Sequence, residues 1–129
     1  MILVDTSIWI DHLRAGHGTL VTLLERGLVV AHPWVIGEVA LGRLSQRRDV
    51  LALLAGLPQA AVATADEMLT LVEGHQLYGI GIGYVDAQLL AATQLTSDTR
   101  LWTNDKRLFA AASRLGCALD PTASVAGGL

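Results

Sequence analysis

Cysteine is all but missing: Cys117 stands alone among 129 residues, so no internal disulfide can form. Its apolar neighbours Ala118 and Leu119 make it read as a core thiol in a reducing cytoplasm. Charge is scarce as well. Charged residues make up 16% of the chain against 52% hydrophobic, which excludes disorder and requires apolar surface to be hidden on several sides of most elements, partly in an oligomer interface. Long apolar runs are also missing, and none approaches the ~20 residues of a membrane-spanning helix. The opening Met1-Ile2-Leu3-Val4 meets Asp5 at once, leaving no room for the basic and apolar regions of a secretory signal. A soluble cytoplasmic protein with no membrane contact is therefore expected, with residues 1–129 forming a single domain. A basic excess is lacking too, and a net charge of −3 taken alone speaks against a nucleic-acid partner. Withdrawing four carboxylates into a metal site leaves the remainder at +1, and bound cations reverse the local sign.

What is present is a regular alternation of apolar runs and helical periodicity. Met1–Val4 reads as a buried strand feeding a helix over Ile8–Arg14. A helix from about Thr19 to Arg26 stops at Gly27, where a left-handed cap is required, and Leu28–Ala31 follows as a strand. Pro33 suits the first turn of a helix through Glu38 to about Leu44, and another helix covers Arg47–Ala55. Ala61–Ala63 reads as a short strand before Thr64-Ala65-Asp66-Glu67, a capping-box pattern that opens a helix to about Leu77. After a flexible connector containing Gly79, Gly81 and Gly83 come a helix over Val85–Leu95, a strand over Arg100–Thr103, a helix over Asp105–Leu115 and a last strand at Cys117–Leu119, with 126–129 frayed. Such alternation implies an α/β class with mostly parallel pairing and helices on both faces of the sheet.

Four acids stand out. Asp5 and Asp105 each follow a strand and precede a helix, and although each could simply cap its helix, ligands in open α/β sheets sit beyond the carboxyl ends of strands. On a helical projection Glu38 shares a face with Trp34, Val35, Leu41 and Gly42, the face expected to pack inward. A buried carboxylate there needs a proton, an arginine or a metal. Asp86 lies in a first helical turn, where the dipole favours it, yet it aligns with Leu89, Leu90 and Thr93. Two carboxylates ~5 Å apart repel by about 3 kcal/mol at an effective dielectric of ~20. Divalent cations relieve that repulsion, and an all-oxygen ligand set suits Mg²⁺ or Mn²⁺ rather than Zn²⁺. Such ions activate water for attack on phosphorus. The histidines lack metal-ligand spacing and read as surface or capping residues; Trp9 and Trp34 read as core. Arg43, Arg47 and Arg48 could meet phosphates or simply be solvated.

Taken together, Leu3-Val4-Asp5-Thr6-Ser7-Ile8-Trp9-Ile10, His32-Pro33-Trp34-Val35-Ile36-Gly37-Glu38-Val39-Ala40-Leu41-Gly42, Gly83-Tyr84-Val85-Asp86-Ala87 and Leu101-Trp102-Thr103-Asn104-Asp105-Lys106-Arg107-Leu108 resemble the successive motifs of VapC-type PIN domains, the toxin half of bacterial VapBC toxin–antitoxin pairs. The resemblance spans nearly the whole chain. It implies a three-layer α-β-α sandwich and an acidic quartet at Asp5, Glu38, Asp86 and Asp105 that binds Mg²⁺, with Mn²⁺ as substitute. It further implies hydrolysis of RNA, a homodimer, and inhibition by a cognate VapB-like antitoxin that threads a segment near the active site. Ser7, Thr6 and Thr103 match hydroxyl positions that support the metal site. Asn104 departs from the pattern, in which a basic residue often precedes the fourth acid.

Two other readings compete. A haloacid-dehalogenase-like phosphatase also ends its first strand in aspartate, but it wants a second aspartate where Ser7 stands. A non-catalytic RNA-binding module on the same fold is the other, and an intact quartet speaks against it.

Overall fold

The computed structural model describes residues 1–120; the fraying expected at 126–129 lies outside them. Its centre is a parallel sheet of β1 (Ile2–Val4), β2 (Val29–Val30) and β3 (Arg100–Trp102) in the order β2-β1-β3. Val4 is in register with Trp102, and Leu3 with both Val30 and Leu101. Ile2, Leu3 and Val4 are at most 1% exposed. Because successive strand side chains point to opposite faces, helices must cover the sheet on both sides. The fold is thus the expected three-layer sandwich, with α1 (Thr6–Ala15), α2 (Gly18–Glu25), α3 (Pro33–Ala40), α4 (Arg47–Gly56), α5 (Ala65–His75), α6 (Tyr84–Leu95) and α7 (Lys106–Arg114) among the described residues.

Single bridges extend the sheet at each edge, Ala31 with Gln59 and Leu101 with Ala118. The second falls where the last strand was expected, and the Leu101 N–H donates to the Cys117 carbonyl at 2.8 Å. The strand expected at Ala61–Ala63 does not form. Pairing falls earlier, with the Ala60 N–H on the Ala31 carbonyl at 2.7 Å, and the next amide, Ala61, donates to Thr96 Oγ1 at 3.0 Å instead.

Helix α3 corrects three further expectations. It ends at Ala40 rather than near Leu44, because Arg47 reaches back to its carboxyl end: Nη2 donates to the Ala40 carbonyl at 2.6 Å and Nη1 to that of Gly42 at 3.2 Å. A guanidinium there complements the negative end of the helix dipole, so Arg47 is engaged in folding rather than with phosphate. The inward face consists of Val35 and Val39, both fully buried, whereas Trp34 is 36% and Leu41 90% exposed. Glu38 is exposed as well. The two β-branched side chains one turn apart take the core-facing positions, which rotates Trp34 and Glu38 to the rim and removes the premise of a buried Glu38–arginine bridge.

The start of α3 is set by His32. Its ring is fully buried, and Nδ1 accepts a hydrogen bond from the Trp34 N–H at 3.0 Å, as a capping side chain does. Only the neutral imidazole can accept there, and burial lowers the His32 pKa below its usual 6.5. A depressed histidine contributes stability that is full above the unfolded value of about 6.5 and is lost as the pH falls toward the folded value. His32→Ala is expected to lose about 2–4 kcal/mol, combining the cap with the buried volume. Urea unfolding between about pH 8 and pH 5 checks both points, since the parent should weaken over this range through His32 and the variant should lack that component of the slope.

Candidate active site

The chain places β2 on one side of β1 and β3 on the other, so the strand order reverses at β1. In open α/β sheets ligands bind at such a switch point, here beyond the carboxyl ends of β1 and β3. Asp5 follows β1 directly, held by its own N–H on the Trp102 carbonyl at 2.9 Å, and Asp105 stands three positions past the end of β3. Both aspartates also do what the bland reading asks. Asp5 Oδ1 accepts from the Thr6 N–H at 2.7 Å and caps α1; Asp105 Oδ1 accepts from the Leu108 N–H at 2.9 Å and caps α7.

Capping uses one oxygen of Asp5 and leaves the other to neighbouring hydroxyls. Asp5 Oδ2 accepts from Thr103 Oγ1 at 2.6 Å and from Ser7 Oγ at 3.0 Å, although the residue is only 5% exposed. Thr103 Oγ1 in turn accepts from the Asp105 N–H at 3.0 Å, so a single hydroxyl ties the first acid to the fourth. Thr6 Oγ1 donates to Glu38 Oε1 at 2.6 Å, linking α1 to the rim of α3. Each of the hydroxyls expected to support the acids therefore touches one.

Asp86, in the first turn of α6, registers the whole cluster. Its pKa is pushed from 3.8 up to about 6, first by burial, then by the charges of Asp5 and Asp105, with Glu38 adding to them and a hydrogen bond from the Gly83 backbone opposing. Asp5, Asp105 and Glu38, named from the sequence, are thus each brought within electrostatic reach of Asp86. Among the described residues no three His, Cys, Asp or Glu side chains are grouped closely enough to hold a metal ion by themselves. Oxygen-only donors that repel one another fit a hard cation that keeps several of its waters and takes one or two carboxylates directly.

The family model described as PIN domain matches residues 2–115. The chain belongs to the PIN domain family. Ribonuclease VapC32 of Mycobacterium tuberculosis, in two strains, is 54% identical over 119 residues, covering 92% of this chain and 96% of the relative. The crystal structure of PAE2754 from Pyrobaculum aerophilum superposes with a TM-score of 0.68 at 17% identity, covering 98% of this chain and 93% of that one. FitAcB from Neisseria gonorrhoeae gives 0.65 at 20% identity, with coverage of 95% and 99%. These two likenesses establish the fold alone. The phosphatase alternative falls with the family assignment, and where it required an aspartate this PIN domain has Ser7, hydrogen-bonded to Asp5.

Sequence reading missed three features of this PIN domain's site. Asn104 Nδ2 donates to Asp11 Oδ2 at 2.9 Å, so the residue that departs from the family pattern fastens the β3 end to α1. In the glycine-rich connector before α6, Gly79 and Gly81 have φ of +71° and +82°, the region that favours glycine. A Cβ on Gly81 would stand 2.6 Å from Arg107 Nη1, so the guanidinium from α7 lies directly over this turn. Finally, the Trp34 and Tyr84 rings meet with centroids 5.6 Å apart. Their places one turn before Glu38 and two residues before Asp86 were the available signal.

The raised pKa makes a signed prediction for the PIN domain without metal. A carboxyl whose folded pKa lies above its unfolded 3.8 contributes stability that is present below that value and lost as the pH rises through about 6. Asp86→Asn should remove this loss and stabilise the metal-free protein at neutral pH by about 1 kcal/mol, once the shift is discounted for solvent screening at a half-buried site. Thermal melts in excess chelator across this pH range check it. A variant less stable than its parent at neutral pH would return Asp86 to a structural role.

Proposed function

We propose that this PIN domain is a metal-dependent endoribonuclease and the toxin of a type II toxin–antitoxin pair, hydrolysing RNA phosphodiester bonds at Asp5, Glu38, Asp86 and Asp105. The observation that carries the reading is the electrostatic convergence of Asp5, Asp105 and Glu38 on Asp86, at the switch point of the sheet. The 54% identity to a relative named Ribonuclease VapC32 supports it.

Asp5, Glu38, Asp86 and Asp105 would hold Mg²⁺, or Mn²⁺ in its place, one or two of them directly and the others through its waters. When bound, such a cation supplies an activated water and neutralises charge on the leaving oxygen. The chain itself supplies orientation. Thr103 and Ser7 fix the rotation of the Asp5 carboxylate through Oδ2, and Thr6 holds Glu38 at the rim. Thr103 sets the spacing between Asp5 and Asp105 by donating to one and accepting from the backbone of the other. Asp86 holds a proton below about pH 6 when no cation is bound, so loading the site and releasing that proton are coupled.

The same reading assigns residues 1–129 to one domain that works in the cytoplasm as a homodimer and is silenced by a VapB-like antitoxin. No helix among the described residues is long and apolar enough to cross a membrane. Leu53, Leu69 and Leu95 are 48%, 65% and 46% exposed, apolar surface of the kind that partner chains cover. A cationic antitoxin segment would complement the acids while competing with the metal.

Cleavage of an unstructured RNA, followed by sequencing of the new ends, tests the proposal. Asp5→Asn preserves the shape and the α1 cap yet should lower the rate by at least about 100-fold, and Thr103→Val by about 10- to 100-fold through the loosened Asp5. Excess chelator should stop the reaction. Undiminished cleavage in chelator, or near-normal cleavage by Asp5→Asn, overturns the proposal.

A further inference from the structure

We propose that Asn104 and Asp11 are positioning residues for Asp5: the Asp11 carboxylate holds Asn104 against α1, and the Asn104 backbone aims the Ser7 hydroxyl at Asp5. The inference deepens the ribonuclease reading and rests on it for the use to which Asp5 is put. Its own basis is a pair of contacts made by one residue. Ser7 and Asp11 stand one turn apart on α1, on the same helix face. Asn104, just past β3, donates to both of them, through its backbone N–H to Ser7 Oγ at 3.4 Å and through Nδ2 to Asp11 Oδ2 at 2.9 Å.

The direction of each bond follows from the groups that make it. A carboxylate only accepts, so the Asn104 side chain must present its nitrogen to Asp11. A hydroxyl has one proton to give, and with an N–H on the Ser7 oxygen that proton is left for Asp5 Oδ2, 3.0 Å away. The next amide repeats the arrangement: the Asp105 N–H donates to Thr103 Oγ1 at 3.0 Å, and Thr103 donates to the same Asp5 oxygen at 2.6 Å. Two consecutive amides thus each aim a hydroxyl at one carboxylate oxygen. They differ in support. Asp105 is fixed as the cap of α7, whereas the 3.4 Å contact from Asn104 is at the long end of hydrogen bonding and depends on what holds residue 104. The shorter bond to Asp11 supplies that hold.

Packing and capping do not account for the pair. Asp11 and Asn104 are both exposed and fill no part of the core, and Asp11 lies within α1 rather than at its cap. Asp11 is also not among the charges that act on Asp86, whereas Asp5, Asp105 and Glu38 all are. It therefore stands apart from the acidic cluster, as an anchor and not as a fifth ligand. A neutral amide suits the place between anchor and cluster. An aspartate at 104 would repel Asp11, and a lysine or arginine would set a full positive charge beside the acids that are to take a cation.

The test combines nuclear magnetic resonance of the metal-free protein with calorimetric titration of Mn²⁺. In Asp11→Ala the resonances of the Asn104 amide and of the Asp5 carboxyl carbon should both move, the latter in the same direction as in Ser7→Ala. Mn²⁺ affinity should fall by about 3- to 10-fold, less than the roughly 10- to 100-fold common for a direct partner of a metal ligand, because Asp11 acts through two further residues. Asp11→Asn keeps an acceptor for Nδ2 and should retain most of the affinity. In a Ser7→Ala background Asp11→Ala should cost nothing more. Cleavage by Asp11→Ala should lose kcat at limiting Mn²⁺ and regain it at saturation, with KM for RNA unchanged and melting close to that of the parent. An unmoved Asp5 resonance in Asp11→Ala overturns the proposal, as does an equal loss of affinity in Asp11→Asn, or a loss that adds to that of Ser7→Ala. If the parent binds no Mn²⁺ and cuts no RNA while the Asp5 resonance follows Asp11 only when Ser7 is present, the positioning pair stands and the ribonuclease reading fails. If the parent binds Mn²⁺ and cuts while Asp11→Ala leaves Asp5 and the affinity unchanged, the positioning pair alone fails.

Discussion

The hydroxyl of Thr103 is the joint on which the acidic crevice depends. Parallel register sets Val4 beside Trp102, which makes the next residues of the two strands, Asp5 and Thr103, neighbours at the carboxyl edge of the sheet. From there Thr103 Oγ1 donates to Asp5 and accepts from the Asp105 amide. A hydroxyl has one proton to give, so this pattern fixes its direction. An arginine in the same place would satisfy Asp5 more strongly, but it would also fill the space and the charge that a divalent cation needs. Neutral donors orient carboxylates without neutralising them, and Thr6 and Ser7 follow the same logic.

That arrangement has a thermodynamic consequence. The pKa of Asp86 rises first through burial and then through the like charges of Asp5, Asp105 and Glu38, and no cationic side chain is among the causes that act on it. The cluster is therefore a region of repulsion tolerated by a core that is apolar on both faces of the sheet, from Ile2 and Leu3 through Leu89 and Leu90. Catalytic sites commonly retain such destabilising groups because function needs them. Capping of α1 and α7 by the same aspartates offsets part of the strain, so one residue serves local folding and the cluster together. Their capping and clustering roles were therefore never alternatives.

The layered α/β class, the parallel pairing and the four candidate acids were legible in the sequence because they rest on local signals: apolar runs that end in aspartate, caps, and helical periodicity. The resemblance to VapC-type PIN domains added the three hydroxyls, and each makes a hydrogen bond to an acid. What periodicity could not show was which way α3 is rolled. Trp34, Val35, Ile36, Val39 and Leu41 offer more apolar positions than one face can bury, and the sheet selected Val35 and Val39. The stop at Ala40 depended on Arg47, seven residues away, and the edge pairing at Gln59 on the backbone of Ala31. These are contacts between segments that no single window of sequence contains.

The turn at Gly81 carries a consequence for how the crevice deforms. With Arg107 lying on it, the turn joins the entrance of α6 to the first turn of α7, and Thr103 joins α7 back to Asp5. Asp5, Asp86 and Asp105 are thus carried by segments that lie directly against one another. Glu38 stands outside them, exposed and held by the Thr6 hydroxyl at the end of a longer side chain. Of the four acids Glu38 alone is carried by α3, so a shift of that helix against the sheet would move one acid and leave the other three in place.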